Sequence, residues 1–410
     1  MTDFNNVLNR ALKFSVGGAQ TRSRGPGNVG PVEEFPLYST SCEGARIFYH
    51  QEAWLDLFGA NAAVPLGHAH PQVVEAVTAA LRKGCSPSLP SVEEADTSEA
   101  FLRICAPWAQ KVRWVKSGTE AVMAAVRMAR AHTCRDRIVV MDSSYHGWSD
   151  LNDARYRLDG QENGVPADVA QLTSVMPYHC DSVAMHHMLC SQDVAAVVVE
   201  PHRWIRTDVR WLQCLRDMCT ANGTVMVMDE MVYGLRWALG GASEYYGVTP
   251  DLACFGKALG NGVPVALVCG KEDVMQHSSY ISGTYFGDTL GLSAAREVLR
   301  LVHETHYMDR LWASGRLVWH GFSDAMDDHC GGREHPVRLE GFPVHWRVCM
   351  ADGTPVPSDI MAIAQQHAAS QRVLFHKSSN NASVAMTADE AYEGGRVVGA
   401  SFAFALGLSR

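Results

Sequence analysis

Short apolar runs alternate with amphipathic stretches through the middle of this chain, and the alternation predicts a layered α/β fold. Apolar runs predict strands at residues 112–115, 138–141, 194–200, 224–228 and 264–269. Apolar positions spaced at helical intervals predict helices at residues 71–83, 119–132 and 212–222. In the first helix, Val73, Val74, Val77 and Leu81 share one face. Apolar strands separated by helices are typical of a mostly parallel sheet covered on both faces.

The two ends of the chain have a different pattern. Residues 1–36 are rich in Gly, Pro, Ser and Arg, which predicts a short helix followed by irregular chain. Residues 44–58 alternate as two strands with a turn at His50-Gln51. After about residue 300 the pattern is helical and then mixed, with strands expected at 341–349 and 372–375. We therefore expect an N-terminal segment (1–60), a large domain (61–299) and a smaller α+β domain (300–410).

Composition narrows the class of protein. A chain of 410 residues with 47% hydrophobic and 19% charged residues is long enough for two domains that share a core. The net charge of -9 argues against nucleic-acid backbone as a partner, and no apolar run reaches membrane-spanning length. The start of the chain lacks the basic and apolar parts of a signal peptide. The 12 cysteines include no Cys-x-x-Cys pair and no metal-like spacing with histidine, so we expect reduced thiols, a cytoplasmic protein and no metal.

Reactive groups occur where the predicted strands end. The apolar strand at 224–228 is followed by Asp229-Glu230, and Lys257 lies 28 residues later in the segment Cys254-Phe255-Gly256-Lys257-Ala258. A buried lysine near a strand-end aspartate suits pyridoxal phosphate (PLP), because the amine forms a Schiff base and the carboxylate pairs with the pyridine nitrogen. The alternatives are a solvated surface lysine and a solvated turn at Asp229.

Further groups follow other strands. The turn Ser117-Gly118-Thr119-Glu120 begins a helix and could bind a phosphate through its N–H groups, or it could be a capping box. Tyr145 and His146 follow the next strand, where an aromatic ring could lie over a flat cofactor or simply close the core. Thr284, in the glycine-punctuated loop 281–288, could be a further phosphate donor. Their order along the chain favours a single PLP site.

Several segments together resemble the class III (fold type I) PLP-dependent aminotransferases, most closely the glutamate-1-semialdehyde 2,1-aminomutase branch. The matching segments are Leu66-Gly67-His68-Ala69-His70-Pro71, Val115-Lys116-Ser117-Gly118-Thr119-Glu120-Ala121, Tyr145-His146-Gly147-Trp148 and Tyr245-Tyr246-Gly247-Val248-Thr249-Pro250-Asp251-Leu252-Ala253-Cys254-Phe255-Gly256-Lys257. The resemblance implies a large domain with a mostly parallel seven-stranded sheet and a smaller α+β domain. It also implies PLP or pyridoxamine phosphate as cofactor, a small amino or carbonyl substrate, and a homodimer with shared active sites.

The resemblance assigns roles to individual residues. Lys257 would carry the Schiff base and move protons, Asp229 would hold the pyridine nitrogen protonated, and Tyr145 would stack on the ring. The other cofactor contacts would be Ser117, Gly118 and Thr119 at the phosphate, Thr284 at the phosphate of the neighbouring subunit, and Glu200 and His146 beside the ring. In the N-terminal segment, Arg24 would bind a substrate carboxylate and Thr21 would replace a serine of the aminomutases.

One departure from the family leaves the reaction open. After Glu200-Pro201 the chain has the bulky, basic segment His202-Arg203-Trp204-Ile205-Arg206, where the family usually has small residues. Amino-group transfer, between two molecules or within one, is the leading hypothesis. The alternative on the same fold is decarboxylation or isomerisation of an unusual amino compound. A non-catalytic α/β binding protein is a third possibility, but the chain has neither a Gly-x-Gly-x-x-Gly opening nor a Walker-type loop to support it.

Overall fold

The computed structural model describes residues 3–25, 28–29, 38–158, 164–190, 193–201, 207–277 and 280–408. The chain forms two compact units. Unit 1 consists of residues 1–71 and 309–410, and unit 2 of residues 72–308. The observed divisions lie at 71/72 and 308/309, whereas the pattern of the sequence placed them at 60/61 and 299/300.

The fourteen strands of the described residues are short and are numbered in chain order. They are β1 Ser41–Glu43, β2 Arg46–Tyr49, β3 Glu52–Asp56, β4 Lys111–Val115, β5 Arg137–Met141, β6 Thr173–Met176, β7 Val194–Val199, β8 Val225–Asp229, β9 Leu252–Phe255, β10 Ala266–Gly270, β11 Val337–Phe342, β12 His345–Met350, β13 Val373–Leu374 and β14 Asn380–Asn381.

The helices of the described residues range from single turns to six turns. They are α1 Asp3–Phe14, α2 Gly59–Ala62, α3 Pro71–Lys83, α4 Val92–Cys105, α5 Gly118–Thr133, α6 Asp150–Leu158, α7 Ala167–Ala170, α8 Ser182–Cys190, α9 Val209–Asn222, α10 Gly241–Tyr246, α11 Glu272–Met275, α12 Thr289–Glu304, α13 Tyr307–Cys330, α14 Ser358–Ser370 and α15 Ala388–Ala405. Short 3₁₀ turns occur at Val16–Gly18, Arg22–Arg24 and Lys257–Gly260.

Unit 2 contains a seven-stranded sheet with the strand order β4-β10-β9-β8-β7-β5-β6. The neighbours from β9 to β6 are parallel, and β10 runs antiparallel to both β9 and β4. Six strands therefore run in one direction, and their carboxyl ends lie along one edge. This confirms the predicted mostly parallel seven-stranded sheet.

The core of unit 2 explains why these strands are apolar along their whole length. Every residue of β7, β8, β9 and β10 is buried, as expected for a sheet covered on both faces. Helix α5 covers part of one face and contributes Ala121, Ala125 and Ala129, which have no exposed surface. These small side chains let the helix backbone lie close to the valines of the sheet.

Unit 1 joins the two ends of the chain in one sheet. Strands β1, β2 and β3 are antiparallel neighbours, and β13 is added parallel to β3, with Val373 opposite Leu55. A second sheet has the order β11-β12-β14. Helices α13 and α15 pack at a glycine, since a Cβ on Gly395 would overlap the carbonyl oxygen of Val318.

Some elements differ from the prediction. Strands β6 and β9 were not predicted, and residues 341–349, expected as one strand, are parts of β11 and β12 with a turn between them. The predicted helix at 71–83 is confirmed as α3. Of the apolar residues expected on its one face, Val73 is buried, whereas Val74 and Leu81 are about half exposed. Among the described residues, we find no helix with both the length and the apolar character needed to cross a membrane.

Candidate active site

Five of the sequence-predicted groups lie at the same edge of the seven-stranded sheet. Ser117 follows β4, Tyr145 follows β5, Glu200 follows β7, Asp229 ends β8, and Lys257 follows β9. All these strands run in the same direction, so their carboxyl ends meet at one edge. This is the edge at which ligands bind in open α/β sheets.

Asp229 is buried with partners on both carboxylate oxygens. Its Oδ2 lies 2.8 Å from Nδ1 of His146, and its Oδ1 accepts the backbone N–H of Met231 at 3.1 Å. Only 3% of Asp229 and 4% of His146 are exposed. The sequence-based alternative of a solvated turn at Asp229 is therefore wrong.

The two ring nitrogens of His146 differ in their hydrogen bonds. Its Nδ1 contacts Asp229, while its buried Nε2 makes no hydrogen bond within the described part of the chain. Asn152, also buried, donates a hydrogen bond from Nδ2 to the backbone carbonyl of His146 at 2.5 Å. The ring is thus held beside Asp229 with a polar atom left for another group.

Glu200 connects two aromatic residues. Its Oε2 accepts the backbone N–H of Tyr145 at 2.9 Å, and its Oε1 accepts the hydroxyl of Tyr233 at 3.0 Å. Glu200 and Tyr233 are buried, whereas 51% of Tyr145 is exposed. Glu200 therefore fixes the backbone that presents the Tyr145 ring. Tyr233 was not identified from the sequence, because no pattern distinguishes it from other core aromatics.

The turn at Ser117 has features of both sequence-based interpretations. Ser117 caps α5, since its Oγ accepts the N–H of Glu120 at 3.3 Å and donates to the Glu120 carboxylate at 2.9 Å. The same carboxylate accepts the N–H of Lys116 at 3.1 Å. The first N–H groups of the 16-residue helix have no partner within the helix, so Gly118 and Thr119 present donors at a positive helix end.

Met231 is a contact residue that sequence reasoning missed. A Cβ on Gly118 would lie 2.9 Å from its sulfur, and a Cβ on Gly256 would lie 2.8 Å from it. The sulfur therefore fills the space between the turn after β4 and the turn after β9. Glycine at both positions was the available signal, but glycine alone does not identify the side chain that occupies the gap.

Gly147 brings two further loops together. Its φ is +93°, and a Cβ at this position would lie 2.8 Å from both Cα and Cβ of Thr119. The loop after β5 therefore contacts the first turn of α5 directly. Taken together, the glycine contacts leave little room between the loops that carry Tyr145, Ser117 and Lys257.

Lys257 itself begins a 3₁₀ turn immediately after β9. Asp229 is paired with Cys254 in the register of β8 and β9, so the lysine follows on the strand next to the aspartate. Lys257 is partly buried and has a φ of +46°, which is unusual for a residue other than glycine. Strained conformations of this kind cluster at functional sites.

Glu230 is buried for a structural reason. Its carboxylate accepts the N–H groups of Ala242 and Ser243 at 2.8 and 2.7 Å, and also the Ser243 hydroxyl. Burial raises the pKa of the Glu230 carboxyl to about 7, and the hydrogen bonds from Ser243 and Ala242 oppose that shift. Glu230 therefore fixes the start of α10 next to Asp229.

The remaining predicted residues lie elsewhere in the chain. Thr284 is exposed in a loop that ends at Asp288, the N-cap of α12, and Asp288 is bonded to Lys116 after β4. Thr21 and Arg24 are exposed residues of unit 1. The segment 202–206 lies outside the described residues. Within the described ranges, no group of three or more His, Cys, Asp or Glu residues could hold a metal ion.

Comparison with known proteins identifies the family of this chain. The model of the family "Aminotransferase class-III" matches residues 31–341. Glutamate-1-semialdehyde 2,1-aminomutase from Methanothermobacter thermautotrophicus is 36% identical over 323 residues, which cover 74% of this chain and 76% of that protein.

Solved structures show the same fold over nearly the whole chain. The FumI protein of Sphingopyxis sp. MTA144, in its PLP internal aldimine form, has a TM-score of 0.88 at 24% identity and covers 99% of this chain and 97% of its own. An omega-transaminase from Sphaerobacter thermophilus has a TM-score of 0.86 at 25% identity, with 98% of each chain covered. The expected fold type I architecture is confirmed. The chain belongs to the class-III aminotransferase family and is a PLP-dependent enzyme that moves an amino group by transamination or by an intramolecular aminomutase reaction.

Proposed function

We propose that Lys257 and Asp229 are the catalytic pair of this enzyme and that the loops at the carboxyl edge of the sheet hold PLP. The observation that carries the proposal is that Asp229, buried and paired with His146, ends β8, the strand next to β9, which Lys257 follows. When bound, PLP supplies an aldehyde that takes up the amino group and a ring that delocalises negative charge.

The residues at this edge fit such a cofactor. Asp229 is a buried carboxylate whose charge would keep a proton on the pyridine nitrogen. The half-exposed ring of Tyr145 offers a flat face for stacking. Gly118, Gly147 and Gly256 let the loops of this edge pack closely, because a Cβ at these positions would meet Met231 or Thr119.

The phosphate would bind at the start of α5. Because the Ser117 hydroxyl already donates to Glu120, the N–H groups of Gly118 and Thr119 are the stronger candidates, with Ser117 as a third. His146 and Glu200 would act indirectly: His146 orients Asp229, and Glu200 orients the backbone of Tyr145.

Lys257 would move the proton at the substrate Cα. A lysine that loses its charge in a desolvated site can accept a proton, and its place beside Asp229 keeps it on the reacting side of the sheet edge. Arg24 would bind a substrate carboxylate through its guanidinium, with Thr21 nearby in the sequence.

A homodimer would complete the site, with Thr284 contacting the phosphate held by the neighbouring subunit. Large apolar side chains on the surface of this chain favour a protein partner. Exposed side chains of this kind in unit 2 include Val74, Leu81, Leu89, Val92, Tyr280 and Tyr285. All twelve cysteines are free, which supports a cytoplasmic location.

Lys257→Ala tests the catalytic assignment. We expect the purified wild-type protein to keep the phosphopyridoxyl group covalently after borohydride reduction, as seen by mass spectrometry. Lys257→Ala should lose this mass increase and should lose turnover by about 10²-fold or more. Lys83→Ala, at the exposed end of α3, is the matched control and should behave as wild type. Covalent cofactor in the Lys257→Ala variant would refute the assignment.

The type of reaction needs a separate assay. We expect an amino donor to bleach the visible absorption of the bound cofactor and to yield a keto or aldehyde product, without release of carbon dioxide. Carbon dioxide release would favour the decarboxylase alternative, which was suggested by the segment 202–206. Reaction of a single substrate without an acceptor would instead indicate an aminomutase.

A further inference from the structure

Lys116 lies between β4 and Ser117, the N-cap of α5, and carboxylates bind both its backbone and its side chain. Its backbone N–H donates to Oε2 of Glu120 at 3.1 Å, and its Nζ forms an ion pair with Oδ2 of Asp288. The Lys116 side chain is 24% exposed and that of Asp288 only 9%. The ion pair is therefore largely shielded from water, where the loss of one partner is costly.

Asp288 is the fixed end of this ion pair. It is the N-cap of α12, since its Oδ1 accepts the N–H of Gly291 at 3.1 Å. The next residue, Thr289, donates its N–H to the carbonyl of Cys85 at 3.0 Å and its hydroxyl to the carbonyl of Gly84 at 3.1 Å. These hydrogen bonds hold the first turn of α12 independently of the ion pair.

The ammonium group of Lys116 packs closely against the backbone of α12. A Cβ on Gly291 would lie 3.1 Å from Nζ of Lys116 and 3.1 Å from Oδ2 of Asp288. A larger residue at position 291 would therefore press on both members of the ion pair. The ion pair thus connects the segment before α5 directly to the first turn of α12.

A phosphate group at the start of α5 requires N–H donors that are held in place. Binding groups work well when their surroundings hold them within about 0.5 Å of the required position. Gly118 and Thr119, the proposed phosphate donors, follow Lys116 by two and three residues. We propose that Lys116 and Asp288 are positioning residues for the cofactor phosphate, because their ion pair fixes this turn relative to α12. This role rests on the proposed function, which assigns the phosphate to the turn.

Positioning and simple charge attraction predict opposite effects of Asp288→Asn. If the charge of Lys116 attracted the phosphate directly, Asp288 would weaken binding by neutralising it, and Asp288→Asn would bind PLP more tightly. If the position of the turn decides, Asp288→Asn binds PLP more weakly, because Lys116 loses the carboxylate that holds it. Asparagine is also a good N-cap, so the substitution leaves the start of α12 capped.

Equilibrium absorbance titration of the full-length enzyme measures the Kd for PLP and for pyridoxal, which lacks the phosphate. We expect Lys116→Met and Asp288→Asn each to raise the Kd for PLP by about 10-fold and to leave the Kd for pyridoxal within about 2-fold of the wild type. Both variants break the same contact, so the double variant should bind PLP no more weakly than the weaker single variant. Lys116→Arg can still pair with Asp288 and should bind PLP within about 3-fold of the wild type.

The exposed ion pair of Lys111 and Glu272 is the matched control. Lys111 begins β4, and its Nζ lies 3.2 Å from Oε1 of Glu272, with both side chains more than half exposed. Exposed pairs of this kind contribute little, so Lys111→Met and Glu272→Gln should leave both Kd values unchanged.

Several results would overturn the positioning role. These are tighter binding of PLP by Asp288→Asn, equal losses of affinity for PLP and pyridoxal, additive losses in the double variant, and wild-type affinity for PLP in both single variants. If Lys116→Met does not fold, the Kd values of Asp288→Asn for PLP and pyridoxal decide the matter. Failure of the proposed function is seen separately, as covalent cofactor in Lys257→Ala, and does not depend on these Kd values.

Discussion

Gly147→Ala tests how the loops of the candidate active site hold one another. Gly147 has a φ of +93°, and its Cα lies against the first turn of α5. An added Cβ would come within 2.8 Å of the Cα and Cβ of Thr119 and would overlap its Oγ1. The Cα belongs to the helix backbone and cannot rotate away, so the loop with Tyr145 and His146 must move from the turn at Gly118.

The expected loss of stability in Gly147→Ala has two parts. A residue other than glycine at positive φ costs about 1–2 kcal/mol. The overlap with Thr119 adds about 1–3 kcal/mol, the usual range for overpacking. Gly247→Ala is the matched control, because Gly247 also has positive φ (+68°) but a Cβ there would meet nothing within 4 Å. Gly247→Ala should therefore lose only the stability that depends on positive φ, about 1–2 kcal/mol.

The assay compares stability with cofactor affinity. Urea unfolding of the cofactor-free protein measures the stability loss, and absorbance titration measures the Kd for PLP. We expect Gly147→Ala to be about 1–3 kcal/mol less stable than Gly247→Ala and to bind PLP at least about 5-fold more weakly. Adding Thr119→Ala to Gly147→Ala should restore only part of the loss, since it removes Oγ1 but not Cα. Equal stability and equal Kd in the two glycine variants would refute the reasoning.

Two further predictions concern buried carboxylates. Glu230 has its pKa raised to about 7 in the folded protein, so it keeps a proton that the unfolded chain releases above about pH 4.5. This group should therefore lower the free energy of unfolding of the wild type by up to about 3 kcal/mol between pH 4.5 and 7. Urea unfolding of Glu230→Gln should lack this dependence on pH. The same dependence on pH in both proteins would contradict the prediction. Asp251 accepts Nη1 of Arg216 at 2.7 Å with both side chains 10% exposed, so Asp251→Asn should cost about 3–5 kcal/mol by leaving a buried charge. Asp96→Asn removes an exposed ion pair and should lower the free energy of unfolding by at most about 1 kcal/mol. A similar loss of stability in the Asp251 and Asp96 variants would contradict the prediction.

Much of the α/β layering was predictable from local pattern. Strands β7 and β8 are uninterrupted valine-rich or methionine-rich runs, and α5 has its alanines at helical spacing. Strand β9 was not predicted, because its apolar run of four residues is short and is followed at once by Gly256 and Lys257. The turn between β11 and β12 was missed because apolar residues continue through it.

Exposure was harder to predict than secondary structure. The helical spacing of apolar residues predicted α3 correctly. It does not show whether the apolar face is buried within the same chain or remains exposed on its surface. Val74 and Leu81 remain about half exposed in the single chain. A second chain over these side chains, in the proposed homodimer, would account for both the apolar pattern and the exposure.

The sequence by itself determined the order of the reactive groups, the alternation of strands and helices, and the family, because these are encoded in short segments and their spacing. It placed Asp229 at the end of a strand and Lys257 between glycines. Only the tertiary structure decided that β9 lies beside β8, so that the lysine and the aspartate share a sheet edge. It alone revealed Met231 between two loops. The physical reason is that strand order and side-chain contacts depend on packing between segments that are distant in the sequence. The local spacing of apolar residues contains no information on that packing.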